Sequence, residues 1–141
     1  MDKLKRKPVT LFVIILLIFL AVIISLSFIP QDSQATKLIV VASTTFIPLD
    51  KPLKLTIKAV DDTGRLDATR NDVVELSVTS VSYDQPSAQL NTNKIQLIDG
   101  TVSVYIQGEM PEVVDITVQW KEGESPLESY KLHLFMGIGE E

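Results

Sequence analysis

The sequence predicts an all-β domain, a single antiparallel β-sandwich of about seven strands, preceded by one N-terminal transmembrane helix. Three observations carry this. Apolar residues run without interruption near the amino terminus, then alternate with polar ones from residue 37 onward, and period two is the mark of strands with one buried face. Clusters of Gly, Pro, Asp and Ser separate the alternating runs at short intervals. No stretch after residue 37 carries a helical stripe.

The first element is the apolar run Val9 to Ile29, 21 residues long, inside a segment with no charge between Lys7 and Asp32. As a helix it reaches about 32 Å, against a hydrocarbon core of about 30 Å. Only Thr10, Ser25 and Ser27 carry hydroxyls, so little polar surface has to be desolvated. Lys3, Lys5, Arg6 and Lys7 precede the run and Asp32 follows it, which predicts a cytoplasmic amino terminus and an extracytoplasmic remainder. The expected location is the cell membrane, single-pass, with residues 9–29 contacting lipid. A secretory signal peptide is the alternative, since a basic head, an apolar core and Ser33-Gln34-Ala35 imitate one with cleavage near Ala35. The run exceeds the usual signal core of roughly 7 to 15 residues. Large residues fill it, with Ala21 its only small apolar residue and no Gly-x-x-x-Gly, so it lacks a tight self-dimerisation motif.

The predicted organisation is therefore a basic head over 1–8, a helix over 9–29, a polar linker over 30–36 opening on Pro30, and a β-sandwich over 37–141. Seven linker residues reach at most about 25 Å, which keeps the domain close to the membrane. From Lys37 on there are 9 basic against 16 acidic residues, a net −7 within the chain's total of −5. An acidic domain is repelled by nucleic acid and anionic lipid, and nucleic acid is excluded as a partner. With no cysteine, a thioether-linked lipid anchor and a disulfide framework are excluded, and packing alone must hold the domain.

Seven strands follow in order. Leu38 to Ala42 opens the domain. Leu53, Leu55, Ile57 and Ala59 alternate with Lys54, Thr56 and Lys58. Val74, Leu76 and Val78 alternate with Glu75 and Ser77. A short segment covers Lys94 to Ile98. Val102, Val104 and Ile106 alternate with Ser103, Tyr105 and Gln107. Val114, Ile116, Val118 and Trp120 alternate with Asp115, Thr117, Gln119 and Lys121. Tyr130, Leu132, Leu134 and Met136 close the series. Between them lie Asp62-Thr63-Gly64, Asp84-Gln85-Pro86-Ser87, Asp99-Gly100, Met110-Pro111 and Glu122 to Pro126. Asp99-Gly100 is the strongest signal, because a two-residue type I′ hairpin needs positive φ at both positions. Short strands rich in β-branched residues, with turns at this spacing, predict two sheets around one apolar layer.

The stretch Leu53 to Arg65 with its Asp61-x-x-Gly64 turn, then Val74 to Val78, then Leu97-x-Asp99-Gly100 leading into Val102 and Val104, resembles the bacterial and archaeal immunoglobulin-like modules of invasins and surface-layer proteins. The resemblance covers most of residues 50 to 121. It implies an immunoglobulin-like sandwich and carries no catalytic residue.

Catalysis is not expected. His133 is the single histidine, on a strand where Leu132 and Leu134 point the other way, and it reads as a surface residue. No Gly-x-Ser-x-Gly elbow and no phosphate-cradling glycine loop occurs, and no cofactor is implied. The one polar cluster is the loop with Asp61, Asp62, Asp67 and Asp72, whose carboxylates offer hard oxygen ligands to calcium. Its spacing is not that of an EF-hand. Arg65 and Arg70 can instead pair with these acids in an ordinary solvated turn.

Period two fails in two places. Leu38-Ile39-Val40-Val41-Ala42 is apolar on both faces and Leu134 to Ile138 nearly so, so something must cover them. Shielding by loops is one reading. A partner surface is the other, with Phe135, Ile138, Ile39 and Val41 as its residues. Two functions follow as expectations: a non-catalytic single-pass protein that binds or braces another integral membrane or envelope protein, as an accessory subunit of a membrane complex; or an envelope or pilus-like subunit associating through its terminal strands.

Overall fold

A computed structural model describes residues 7–27 and 33–137 of the chain. They form two separate compact units, one ending at Asp32 and the other starting at Ser33.

The first unit is α1 (Lys7–Ser27). Pro8 sits in its first turn, where a missing N–H costs nothing. Within it, Pro8–Leu26 has a mean hydropathy of 3.3, and its described side chains are all exposed in the chain by itself. Ser25 donates its hydroxyl to the Ala21 carbonyl at 2.8 Å, which hides its one polar atom inside the helix. The helix is long and apolar enough to cross a membrane, and a signal sequence meets the same criterion. Phe28 and Ile29, the end of the expected span, lie outside the described residues.

The second unit holds nine strands: β1 (Lys37–Ala42), β2 (Phe46–Ile47), β3 (Leu53–Val60), β4 (Val73–Ser80), β5 (Gln89–Leu90), β6 (Lys94–Gln96), β7 (Thr101–Gln107), β8 (Glu112–Glu122) and β9 (Tyr130–Met136). One sheet has the order β1-β3-β7-β5 and the other β2-β9-β8-β4-β6. Their inward side chains meet in one core. Leu38, Val40, Leu55, Ile57, Ala59, Val104 and Ile106 face Val74, Leu76, Val114, Ile116, Val118, Leu134 and Met136, all buried. Alternation along each strand dictates this, because successive side chains point to opposite faces.

All seven expected strands are present, and the two additional ones, β2 and β5, have two residues each. Two residues show no periodicity, so neither is legible as a strand. One pairing is parallel: Phe46 lies beside Phe135 and Ile47 beside Met136. The reason is topological. From Lys37 to Ile47 the chain keeps one direction but leaves the first sheet after Ala42 for the second. There β9 runs the same way, with Lys37 bridged in parallel to Glu128 at the other end.

Residues 33–36 are built into the domain. Ser33 donates its hydroxyl to Leu66 O at 2.6 Å, the Ala35 N–H reaches Asp67 Oδ2 at 2.9 Å, and Thr36 N–H reaches Val60 O at 2.9 Å. Ala35 is buried. The domain therefore starts at Ser33, four residues before the alternating pattern begins.

At the Asp99-Gly100 turn both residues have positive φ, 52° and 79°, and Ile98 and Thr101 exchange N–H···O bonds of 3.0 and 3.2 Å. The turn is the expected one, yet the flanking strands part: β6 pairs with β4 in one sheet and β7 with β3 in the other. The hairpin is a crossing point between sheets. A Cβ on Gly100 would collide with the Asp67 carbonyl oxygen. Gly100→Ala is expected to lower unfolding stability by about 1–3 kcal/mol, read as a shifted urea midpoint in the fluorescence of Trp120, the sole tryptophan.

Candidate functional site

The acidic loop between β3 and β4 is tied down by its own carboxylates. Asp61 Oδ1 accepts Thr63 N–H at 2.9 Å, Thr63 Oγ1 at 2.6 Å and Arg65 N–H at 3.0 Å, and Oδ2 accepts Arg65 Nε at 3.2 Å. These donors, the Thr63 hydroxyl foremost, lower its pKa to about 2 against the opposing effect of burial. Asp62 takes the Thr36 hydroxyl at 2.6 Å. Asp67 takes Thr69 N–H and Oγ1 on one oxygen and Ala35 N–H on the other. Burial raises the Asp67 pKa, and the bonds from Thr69 and Ala35 with the charge of Arg70 outweigh it, so the carboxyl titrates below its ordinary value.

Asp72 belongs to a buried ion pair. Arg70, 1% exposed, donates Nε to Asp72 Oδ1 at 2.9 Å and Nη2 to Oδ2 at 2.7 Å, the bidentate arrangement that a guanidinium and a carboxylate favour. Its Nη1 reaches Ser125 Oγ at 3.0 Å and Nη2 also bonds the Ser125 carbonyl. Trp120 Nε1 donates to Asp72 Oδ2 at 2.7 Å. Burial disfavours charge on Asp72, but the bonds from Arg70 and Trp120 win and its pKa is lowered; the bond to Asp72 likewise raises that of Arg70.

The four calcium candidates Asp61, Asp62, Asp67 and Asp72 thus each serve a different set of protein donors. Among the described residues no group of three or more His, Cys, Asp or Glu side chains converges as a metal site would. Asp61 and Asp67 hold backbone N–H groups in place. A second anchored carboxylate, Glu112, is fully buried; its Oε1 accepts Ser87 N–H, Ser87 Oγ and Ala88 N–H at 2.6–2.8 Å.

The four expected partner residues do not form one surface. Ile39, half-buried, and Val41, 43% exposed, lie on the outer face of the first sheet opposite Lys58 and Thr56. Phe135 lies on the outer face of the second, and Ile138 is outside the described residues. Phe135 is also covered in part by its own chain: its ring stacks on Phe46 with centroids 5.2 Å apart and planes inclined by 21°.

Around Phe135 the second sheet assembles a row that sequence spacing does not show. Phe46 pairs with Phe135 and Phe135 with Val113. Val81, just past β4, donates its N–H to Val113 O at 2.8 Å. Phe46, Phe135, Val113 and Val81 therefore stand side by side across four adjacent segments, with Phe46 54% and Val81 64% exposed. The next row is polar, Thr79, Asp115 and His133 in register, and Lys131 Nζ lies 3.9 Å from Asp115 Oδ2. His133 is exposed and its Nδ1 lies against Asp115 Oδ1, the surface placement expected of it. An apolar strip bordered by charge has the anatomy of an interface core and rim. Phe46 is not among the expected surface residues; it stands between Thr45 and Ile47, outside any alternating run.

No family model matches the chain and no curated protein matches it. Solved structures do. A glycosyl hydrolase family 2 member from Bacteroides cellulosilyticus is 15% identical with a TM-score of 0.63, over 75% of this chain but 15% of that one. The Yersinia pseudotuberculosis adhesin InvE is 12% identical at 0.55, over 72% and 32%. The D00-D0 domain of Intimin is 16% identical at 0.54, over 77% and 50%. The chain thus spans half or less of each of these proteins. The likeness is one of fold. The domain is an immunoglobulin-like β-sandwich.

Removing one partner of a buried ion pair leaves the other charge uncompensated, so Arg70→Leu is expected to cost about 3–5 kcal/mol, seen as a lowered urea midpoint or loss of the cooperative transition. Asp61 has a folded pKa of about 2 against an ordinary 3.8. Its contribution is complete above the ordinary value and disappears as pH falls toward 2. Stability should therefore drop on acidification from about pH 5 to 2, and Asp61→Asn should flatten that slope in a pH series of unfolding midpoints.

Proposed function

We propose that this chain is a non-catalytic, membrane-anchored binding protein whose immunoglobulin-like domain holds a neighbouring membrane or envelope protein against the outer face of its second sheet, as an accessory subunit of a larger assembly. The observation that carries the reading is the Phe46–Phe135–Val113–Val81 row. Exposed aromatic side chains are among the residues enriched at protein interfaces, and here two of them stack at one end of the strip. The anchor rests on the apolar helix and on the basic residues Lys3, Lys5, Arg6 and Lys7 before it, which orient the amino terminus to the cytoplasm. Retention of that helix is supported by the Ala35 N–H bond to Asp67, since cleavage at Ala35 would leave a buried carboxylate oxygen without its donor.

The alternative, an envelope or pilus-like subunit whose copies associate through their terminal strands, would use the outer edge of β1, which ends its sheet. Within one chain β1 is matched to β3 over six residues and β9 to β8 over seven.

The row faces away from the entry point of the chain: Lys37 pairs with Val60 and Glu128 at one pole, whereas Phe46 and Phe135 lie at the other. A photo-crosslinking residue at position 46 in native membranes is expected to give a discrete adduct, and one at position 58 on the opposite sheet none. Phe46→Glu should reduce that partner's copurification by about tenfold or more with an unchanged unfolding midpoint. Equal copurification of variant and wild type would overturn the reading.

A further inference from the structure

On the outer face of the first sheet, β5 and β7 present side chains of another kind. Gln89 is in register with Gln107 and Leu90 with Ile106. One step further, Asn91 N–H donates to Tyr105 O at 3.0 Å and Tyr105 N–H to Asn91 Oδ1 at 2.8 Å. Alternation then turns Gln89, Asn91, Tyr105 and Gln107 outward, all four exposed. They line an open groove of about 520 Å³ together with Pro52, Ser87 and Glu109, a size within the range of small-ligand sites.

The chemistry of this lining narrows what fits. Glu109 places a carboxylate in the lining, which repels phosphate, sulfate or carboxylate, while Lys54 on β3 stands beside Tyr105 without entering the lining. The β5 edge has two residues, too few to add a peptide strand through backbone bonds. Besides Glu109 and Ser87, the polar lining is one flat ring, 45% exposed, beside three carboxamides. Each carboxamide carries a donor and an acceptor on adjacent atoms. Asn91 spends its oxygen on Tyr105 N–H and keeps its NH₂ free to donate. The amides of Gln89 and Gln107 and the Tyr105 hydroxyl bond no other group among the described residues. A pyranose ring is complementary to that set: its C–H face is apolar and packs on an aromatic ring, and its vicinal hydroxyls donate and accept at the spacing of a carboxamide.

We infer that the β5–β7 groove is a binding site for a neutral saccharide, with Tyr105 as the stacking platform and Gln89, Asn91 and Gln107 bonding the hydroxyls. The site lies on the sheet opposite the apolar row and stands whether or not that row binds protein.

The test uses the full chain in phosphatidylcholine nanodiscs, which present no sugar headgroup, with empty nanodiscs as blank. Maltohexaose, cellohexaose and chitohexaose are each added up to about 10 mM, a range that reaches weak shallow-site affinities, and saturation-transfer NMR is recorded. At least one oligosaccharide should bind, with transfer strongest on its ring C–H protons. Tyr105→Ala should weaken it about tenfold or more and Gln107→Ala severalfold, whereas Tyr105→Phe, which keeps the stacking face, should stay within about threefold. Phe46→Glu should bind as wild type. The inference is overturned by absence of transfer to all three sugars, or by Tyr105→Ala binding as wild type while both unfold at the same urea concentration.

Discussion

The domain depends on a guanidinium that water does not reach. Arg70 is enclosed with Asp72, and the pair is closed by Trp120 from β8 and Ser125 from the following turn. A buried ion pair contributes little net stability by itself, because desolvation offsets most of the attraction. Its effect is on arrangement: neither charge tolerates a position in which the other is missing. The backbone repeats the constraint, since Gly100 N–H bonds Arg70 O at 2.7 Å and Leu97 N–H bonds Asp72 O at 2.8 Å. One two-residue spacing thereby fastens the β3–β4 loop, the end of β8 and the crossing from β6 to β7.

That crossing decides which sheet each half of the chain joins. After Asp99-Gly100 the polypeptide leaves β4's neighbour and becomes β3's neighbour, so one turn links the two layers. At the opposite pole Glu112 does comparable work on the segment at Ser87 and Ala88, where burial of the carboxyl is overcome by the Ser87 and Ala88 donors, with the Ser80 hydroxyl beside it, and its pKa stays low. With no cysteine available, ionised carboxylates bonded to backbone N–H groups fill the part that disulfides play elsewhere, and such bonds are stronger than neutral ones.

The two outer faces have diverged in chemistry. The first sheet shows lysines, threonines and amides around Tyr105, and the second an apolar strip that gives way to Asp115, His133 and Lys131. Both derive from alternation, which leaves every second side chain free of the core's demand for apolarity. The strip is specific to this chain's path: Phe46 reaches Phe135 because the polypeptide changes sheets between Ala42 and Phe46 without changing direction.

Alternation from residue 37, with Asp-Gly chemistry at its turns, determined seven of the nine strands, the inward set from Leu38 to Met136 and the type I′ turn. Each of these follows from interactions within a few residues along the chain. The charge-free run at the amino terminus determined a helix by the same local logic. Tertiary structure alone decided the rest. Ala35 becomes part of the domain through a carboxylate 32 residues away. Four carboxylates that look like one cluster in sequence each serve separate donors. Ile39 and Phe135, both outside the alternating pattern, end on opposite sheets. Strands as short as β2 and β5 carry no period, so the surfaces they complete arise only from pairing across long sequence distances, which no local pattern encodes.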